Sequence, residues 1–314
     1  MVAVVPPAGD HGGDAALVAA ALGVARSDLV DLSLSMNPFA PDVRPLLARH
    51  LDAVADYPDP AAGERSLAEA IGVQPELVVL TNGGSEAIAL VAQLVPVGSV
   101  RDPEFSLYRR HLRELRDDAP RWRSNPSNPL GLLVDPSECM HDTLVWDEAF
   151  HPLATASWTA SALADRPAWR LGSLTKLWAC PGLRLGYAIA PDDASAQRLR
   201  DLRPRWSVNA LALAVIDEML ELTDLDLWAR GVASSRDDFA TRLRASGHAI
   251  VDTDVNWLLV ENDPSLRERL VPHGVLVRDC SSFGLAGVSR VAVPRANEVD
   301  RVVAAFERVA DTSS

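Results

Sequence analysis

Lys176 is the single lysine of the chain; the other 29 of its 30 basic residues are arginines. A lysine amine held near other cations can shed its proton and condense with an aldehyde to a Schiff base, which a guanidinium does not do. It lies in "GSLTKLWACPGLRLGY", three residues after Ser173 and eight before Arg184. A hydroxyl and a guanidinium at these places can both hold a phosphate, Arg184 through two parallel bonds. The plain alternative is a surface lysine. Coding bias toward arginine explains the missing lysines, but not the one that is kept. In "LTNGGSEAIAL" a strand, a glycine turn and a helix start point backbone N–H groups outward from a positive dipole end. Gly83 and Gly84 permit close approach, and Ser85 adds a hydroxyl. The same pattern also reads as an ordinary strand-to-helix turn. In "LVWDEAF", Asp147 ends a buried strand, where open α/β sheets bind ligands. It suits a protonated ring nitrogen, or equally a cap or loop acid.

The elements that must position these groups alternate. "ELVVL" is a short apolar run and predicts a buried strand, while "EAIALVAQLV" has helical spacing. "TLVWDEAF", "AWRLGSLTK" and "RLGYAIAP" read as further strands. Residues 31–63 are rich in proline and turn formers and read mostly as an extended arm. Residues 208–247 read as long helix, and "HAIVDTDVNWLLVEN", "GVLVRDC" and "VSRVAVP" as strands. The closing helix, "ANEVDRVVAAFERVA", puts Val299, Val302, Val303, Phe306 and Val309 on one face. This is an α/β pattern followed by a smaller α+β unit.

Composition narrows the function. A chain of 314 residues with 48% hydrophobic residues can bury a sizeable core. A net charge of -13 argues against nucleic-acid or anionic-membrane binding. Cys139, Cys180 and Cys280 form no CxxC pattern and no disulfide framework or zinc site, which suits a reducing, cytoplasmic setting. No basic leader precedes an apolar run, and no apolar stretch reaches the roughly 18 residues of a membrane span.

In order along nearly the whole chain, "LSLSMNPFAP", "YPDP", "TNGGSEAI", "SNPSNPLG", "VWDEAF", "SLTK" and "RDCSSFGL…VSRVAV" resemble the motifs of the fold-type I pyridoxal-phosphate enzymes. The resemblance is to the class I and II aminotransferases near histidinol-phosphate aminotransferase. It implies a large cofactor-binding domain, residues 41–230, whose mainly parallel sheet is sandwiched by helices. It implies an N-terminal arm, residues 1–40, packing with a small C-terminal α+β domain, residues 231–314. Pyridoxal 5'-phosphate is the implied cofactor. By the resemblance, Lys176 forms the Schiff base and moves the proton, and Asp147 holds the pyridinium nitrogen. Asn128 bonds the ring's phenolic oxygen, and Phe105 stacks on the ring. Gly84, Ser85, Ser173 and Arg184 hold the phosphate. Asn37 and Arg290 bind substrate, Arg290 through its carboxylate, and Arg278 contacts the distal group. Tyr57 reaches the cofactor phosphate of a second copy, so a homodimer is implied. Phe150 stands where many relatives carry a tyrosine, removing one donor to the phenolic oxygen. The segment from Pro103 to Asn125 is shorter than in typical relatives, as if a strand-helix unit were trimmed.

The reaction is less legible. "DHGGDAALVAAALGV" resembles the opening of the threonine-phosphate decarboxylases of the cobalamin pathway, which implies His11 near a substrate phosphate. His11 also reads as a loop histidine without a role. "RDCSSFGL" resembles the histidinol-phosphate branch nearly as well. The expectation is an enzyme acting on a small phosphorylated amino acid, with decarboxylation of threonine phosphate ahead of transamination of histidinol phosphate. A non-catalytic, cofactor-binding protein is the third reading. It would not need to keep Lys176, Asp147 and Arg184 together.

Overall fold

The structure, a computed structural model, describes residues 5–135, 137, 142–164 and 166–311. Cys139 lies outside the described residues. The chain divides into two compact units, one of residues 1–39, 129–131 and 230–314, the other of residues 40–128 and 132–229. The first strand, β1 (Val30–Asp31), belongs to the former.

The larger unit is built on β2 (Val78–Asn82), β5 (Arg121–Ser124), β6 (Thr143–Asp147), β7 (Trp169–Gly172) and β8 (Leu185–Ile189), with β3 (Val97–Gly98) and β4 (Glu114–Leu115) forming a separate parallel pair. The five strands lie in the order β2-β8-β7-β6-β5. β5, β6 and β7 are mutually parallel, and β8 runs against both β7 and β2. The sheet is therefore mainly parallel, as expected, with one reversed strand. Alternate residues face opposite ways. Val78, Leu80, Leu185 and Ile189 join one apolar cluster with Leu67, Leu174, Trp178 and Ile216. Val79 and Ala188 join another with Ile88, Val91, Trp122 and Leu199. Helices cover both faces.

The outer edge of β2 is closed by side chains. Leu80 N–H donates to the Glu64 carboxylate at 3.1 Å. Arg203 donates to that carboxylate at 2.8 Å and to Leu80 O at 2.6 Å. Arg200 donates to Val78 O at 2.8 Å, and Asn82 N–H donates to Glu86 at 2.6 Å. At the other edge, Trp122 N–H donates to Ser99 O at 2.9 Å, and Ser124 N–H to Glu104 at 2.9 Å.

The smaller unit holds β9 (Ala249–Val251), β10 (Trp257–Glu261), β11 (Val275–Leu276), β12 (Arg278–Asp279) and β13 (Ser289–Ala292). Four of them form an antiparallel sheet, β12-β13-β10-β9, and β1 pairs in parallel with β11. The Val299–Asp311 helix buries Val302, Val303, Phe306 and Val309 against Phe239, Leu258 and Val291, on the face its sequence marks.

Two expectations need correction. Residues 208–247 are not one helix but three: Ala210–Ala214, Ile216–Glu221 and Leu225–Ala245. The last break has a clear cause. Asp224 accepts from Leu227 N–H at 2.8 Å and starts a new helix. The stretch 31–63 is not wholly extended, because Arg44–Arg49 is helical and a longer helix begins at Ala61. Pro45 lies in the first turn of the former, where its missing N–H has no partner to lose. Among the described residues, no helix is long and apolar enough to cross a membrane.

Candidate active site

In the larger unit the phosphate-type groups converge. β7 delivers Ser173 as N-cap of the one-turn helix Leu174–Leu177, which carries Lys176. Gly83 has φ 78°, a left-handed value that glycine adopts without strain, and it opens the Gly84–Leu94 helix. A Cβ at Gly83 would meet Arg184 Nη2 at 2.5 Å. The Arg184 guanidinium thus lies directly on the turn, and it donates to Ser85 Oγ at 2.9 Å. A Cβ built on Gly84 is 3.8 Å from that of Ser173. A helix start, two hydroxyls and a guanidinium therefore share one place, which fits a dianionic phosphate. Arg184 holds φ 54°, uncommon for a residue with a Cβ.

Two glycines that the sequence reading passed over make this convergence possible. A Cβ at Gly186 would lie 2.4 Å from Gly84 N, so β8 approaches the helix start closely only because the side chain is missing. A Cβ at Gly172 would lie 2.0 Å from the Tyr187 ring.

Asp147 ends β6, buried, opposite Ser124 of β5 in register. One carboxylate oxygen accepts from Ala149 N–H at 3.0 Å and the other from the Tyr108 hydroxyl at 2.7 Å. Burial pushes the Asp147 carboxyl up, and these two donors offset only part of that rise. Asn128 is buried one turn beyond β5, and its N–H donates to Ser124 Oγ at 2.8 Å. The Phe105 ring meets that of Tyr108 edge-on, 5.8 Å between centroids. Phe150 is buried, and Lys176 Nζ lies 5.8 Å from its ring centre. Tyr57 is set apart on an exposed surface, stacked on Trp206 at 4.4 Å.

In the smaller unit Arg278 and Arg290 are register partners on β12 and β13, and both are buried. Like charges opposite one another on a sheet repel. Burial, with Arg278 adding to it, lowers the Arg290 guanidinium to about 10. Arg290 donates to Ser33 O at 3.3 Å and lies over the Trp257 ring. Arg278 donates to Gly9 O, Asp10 O and Ser282 Oγ, each at 2.6 Å. It therefore holds the turn that carries His11. That turn rests on Ser33: a Cβ at Gly12 would meet Ser33 O at 2.4 Å, and Gly13 N–H donates to Ser33 Oγ at 3.0 Å. Asn37 is fully buried and accepts from Phe39 N–H at 2.9 Å. The Asn256 amide fixes the residues before it, donating to Ser35 O and Met36 O at 3.0 Å.

Residues 122–306, more than half of the chain, match the family described as aminotransferase class I and II. The chain belongs to that family. This aminotransferase-family chain is 29% identical to the threonine-phosphate decarboxylase of Salmonella typhimurium, over 95% of its own length and 96% of the relative's. It is 27% identical to histidinol-phosphate aminotransferase 2 of Methylococcus capsulatus, over 90% of each. The structure of histidinol-phosphate aminotransferase from Sinorhizobium meliloti, solved in complex with pyridoxal-5'-phosphate, superposes with a TM-score of 0.78 at 20% identity. That superposition covers 89% of this chain and 90% of the other. The family makes this aminotransferase-family chain an enzyme whose cofactor is pyridoxal phosphate.

Sequence reasoning missed the buried partners of Asp147 in this aminotransferase-family site. Tyr108 follows Phe105 by three residues, one turn of the Ser106–His111 helix, and that spacing was the available signal. Glu104 and Ser124 carried none. Glu148, next to Asp147, is also buried. It accepts from Ala160 N–H at 2.8 Å and from the Thr159 hydroxyl, and burial pushes it up to about 7.

Proposed function

We propose that this enzyme acts on a small phosphorylated amino acid, and that it decarboxylates threonine phosphate. The observation that carries the reading is in the smaller unit. Two buried arginines, Arg278 and Arg290, face each other across β12 and β13, beside a His-Gly-Gly turn seated on Ser33. Such a pair gains most from a ligand with an anionic group for each. The likeness to the Salmonella decarboxylase along nearly the whole chain supports the choice of substrate. The second reading, transamination of histidinol phosphate, is supported by the Methylococcus relative.

Bound pyridoxal 5'-phosphate supplies an electron sink for charge that develops at the substrate's α-carbon. Gly84, Ser85, Ser173 and Arg184 would hold its phosphate, Asp147 its ring nitrogen, Asn128 its phenolic oxygen and Phe105 its ring face. Lys176 would hold its aldehyde carbon, yield that place to the substrate amine, and then carry a proton at Nζ. In decarboxylation the substrate carboxylate leaves as carbon dioxide, and Lys176 gives one proton to the α-carbon. Arg290 and Arg278 would bind the substrate's anionic groups, with His11 near the phosphate and Asn37 beside them. Tyr57, 78% exposed, would be given to a second copy, making the working form a homodimer.

The test is product analysis. Pure holoenzyme with threonine phosphate should yield aminopropanol phosphate and carbon dioxide in equal amounts. No such product, together with 2-oxoglutarate-dependent turnover of histidinol phosphate, would reverse the order of the two readings. Lys176→Ala should take up cofactor without the borohydride-fixable bond of the parent. A colourless parent that takes up no added cofactor would overturn both.

A further inference from the structure

The Arg290 guanidinium lies over the ring of Trp257, 5.1 Å from Cζ to the ring centre. The sheet register accounts for the meeting. Leu259 of β10 stands opposite Arg290 of β13, and Trp257 stands opposite Ala292. Trp257 and Leu259 are two residues apart on one strand, so both leave the sheet on the face that Arg290 uses. A ring at this diagonal position is within reach of a long side chain.

The ring itself is fixed. Trp257 is fully buried, and its indole N–H donates to Pro129 O at 2.9 Å. The Thr253 hydroxyl donates to Trp257 O, and Asp254 N–H donates to Gly131 O at 2.7 Å. Gly131 has φ 71°, and a Cβ there would come within 3.0 Å of the indole nitrogen. Glycine therefore lets the segment 129–131 lie directly on the indole edge.

A ring face suits this arginine better than a carboxylate would. A carboxylate partner takes up guanidinium N–H donors and offsets the charge that a bound anion needs. An indole face attracts a cation through its quadrupole and takes none of the five N–H donors. It also counters the repulsion from Arg278, the register partner of Arg290 on β12.

We infer that Trp257 is a positioning residue for the substrate carboxylate, its ring holding Arg290 in one orientation without occupying that residue's N–H donors. The inference rests on the reading that Arg290 binds this carboxylate.

The test compares two ligands that differ by one group. Threonine phosphate carries the carboxylate, and aminopropanol phosphate has a hydrogen in its place. Dissociation constants for holoenzyme are read from the bound cofactor's visible absorbance on rapid mixing, before turnover. Apparent affinity falls with the fraction of molecules whose Arg290 is in the binding orientation. A cation–π hold between desolvated groups corresponds to a factor of about 30. Trp257→Leu should therefore weaken threonine phosphate by about 10–30-fold. Aminopropanol phosphate should stay within about twofold of the parent. Trp257→Phe keeps a ring face but loses the bond to Pro129 O, so it should fall between the two. It stands in for Trp257→Leu should that variant not fold. Threonine phosphate binding that matches the parent in these variants overturns the inference. So does an equal loss for both ligands, which would mean a general loosening of the fold. Arg290→Gln separates the inference from the reading beneath it, and should itself lose the preference for the carboxylate. If Arg290→Gln keeps the parent's preference, the reading of Arg290 falls and the inference falls with it.

Discussion

Replacing Arg278 by alanine should loosen the turn that carries His11. The side chain makes three hydrogen bonds of 2.6 Å, two of them to the carbonyls of Gly9 and Asp10. A hydrogen bond to a charged group contributes about 1.5–3 kcal/mol, so losing two removes about 3–6 kcal/mol of local hold. The rest of the arm stays fastened by Arg267, which donates to Pro6 O and to Asp14, each at 2.7 Å. Opening is therefore confined to the turn between these anchors. Each factor of ten corresponds to about 1.4 kcal/mol, so protection should fall by about 10²–10⁴. Hydrogen exchange at Gly13, whose N–H is held by Ser33, gives the readout. Arg278→Lys should recover part of the protection, since an ammonium can reach one carbonyl but not span both. Exchange at Gly13 that is the same in Arg278→Ala as in the parent would refute the reasoning, and would leave Arg278 with work on substrate alone.

Other outcomes follow from the same geometry. Glu64→Ala leaves Arg203 and Arg200 without their buried carboxylate and should cost about 3 kcal/mol, lowering the melting temperature by about 6–12 °C, as calorimetry would register. Gly186→Ala forces the backbone of Gly83 and Gly84 away from β8 and should cost about 1–3 kcal/mol, with weaker cofactor binding in an absorbance titration. His151 is buried, and desolvation lowers it to about 4, so its folded form stays neutral where the unfolded chain takes up a proton. Stability should therefore fall as pH drops from about 6.5 to 4, by up to about 3 kcal/mol from this residue. Denaturant unfolding of His151→Phe should lack that portion of the acid loss.

What could be read in the sequence was local. The glycine turn, the strand-ending acid and the lysine segment each lie within one run of residues, and their spacing survives folding. Arg184, Ser85 and Ser173 do meet, because β2, β7 and β8 are neighbours in the sheet. Tyr108, Glu104 and Ser124 were not legible. Tyr108 is 39 residues from Asp147, and nothing in "PEFSLY" says which acid its hydroxyl will find. Gly172 and Gly186 looked like ordinary strand glycines, since only the packed neighbours reveal that a Cβ would collide. The unbroken helix expected over 208–247 followed from apolar spacing alone, which cannot register the Asp224 cap. The proline-rich composition of 31–63 pointed to an extended arm, and composition does not show that Pro45 falls in the first turn of a helix.

The closed edge of β2 has a consequence for the chain in company. An edge strand offers a row of backbone donors and acceptors on which a strand from another molecule can template. Here Val78 O, Leu80 N–H, Leu80 O and Asn82 N–H are already engaged by Arg200, Glu64, Arg203 and Glu86. An incoming strand would have to displace charged side chains, two of them an interlocked arginine and carboxylate, before its first rung could form. The sheet therefore carries its own guard against edge-to-edge aggregation, made with arginine, the cation the chain uses at every basic position except 176.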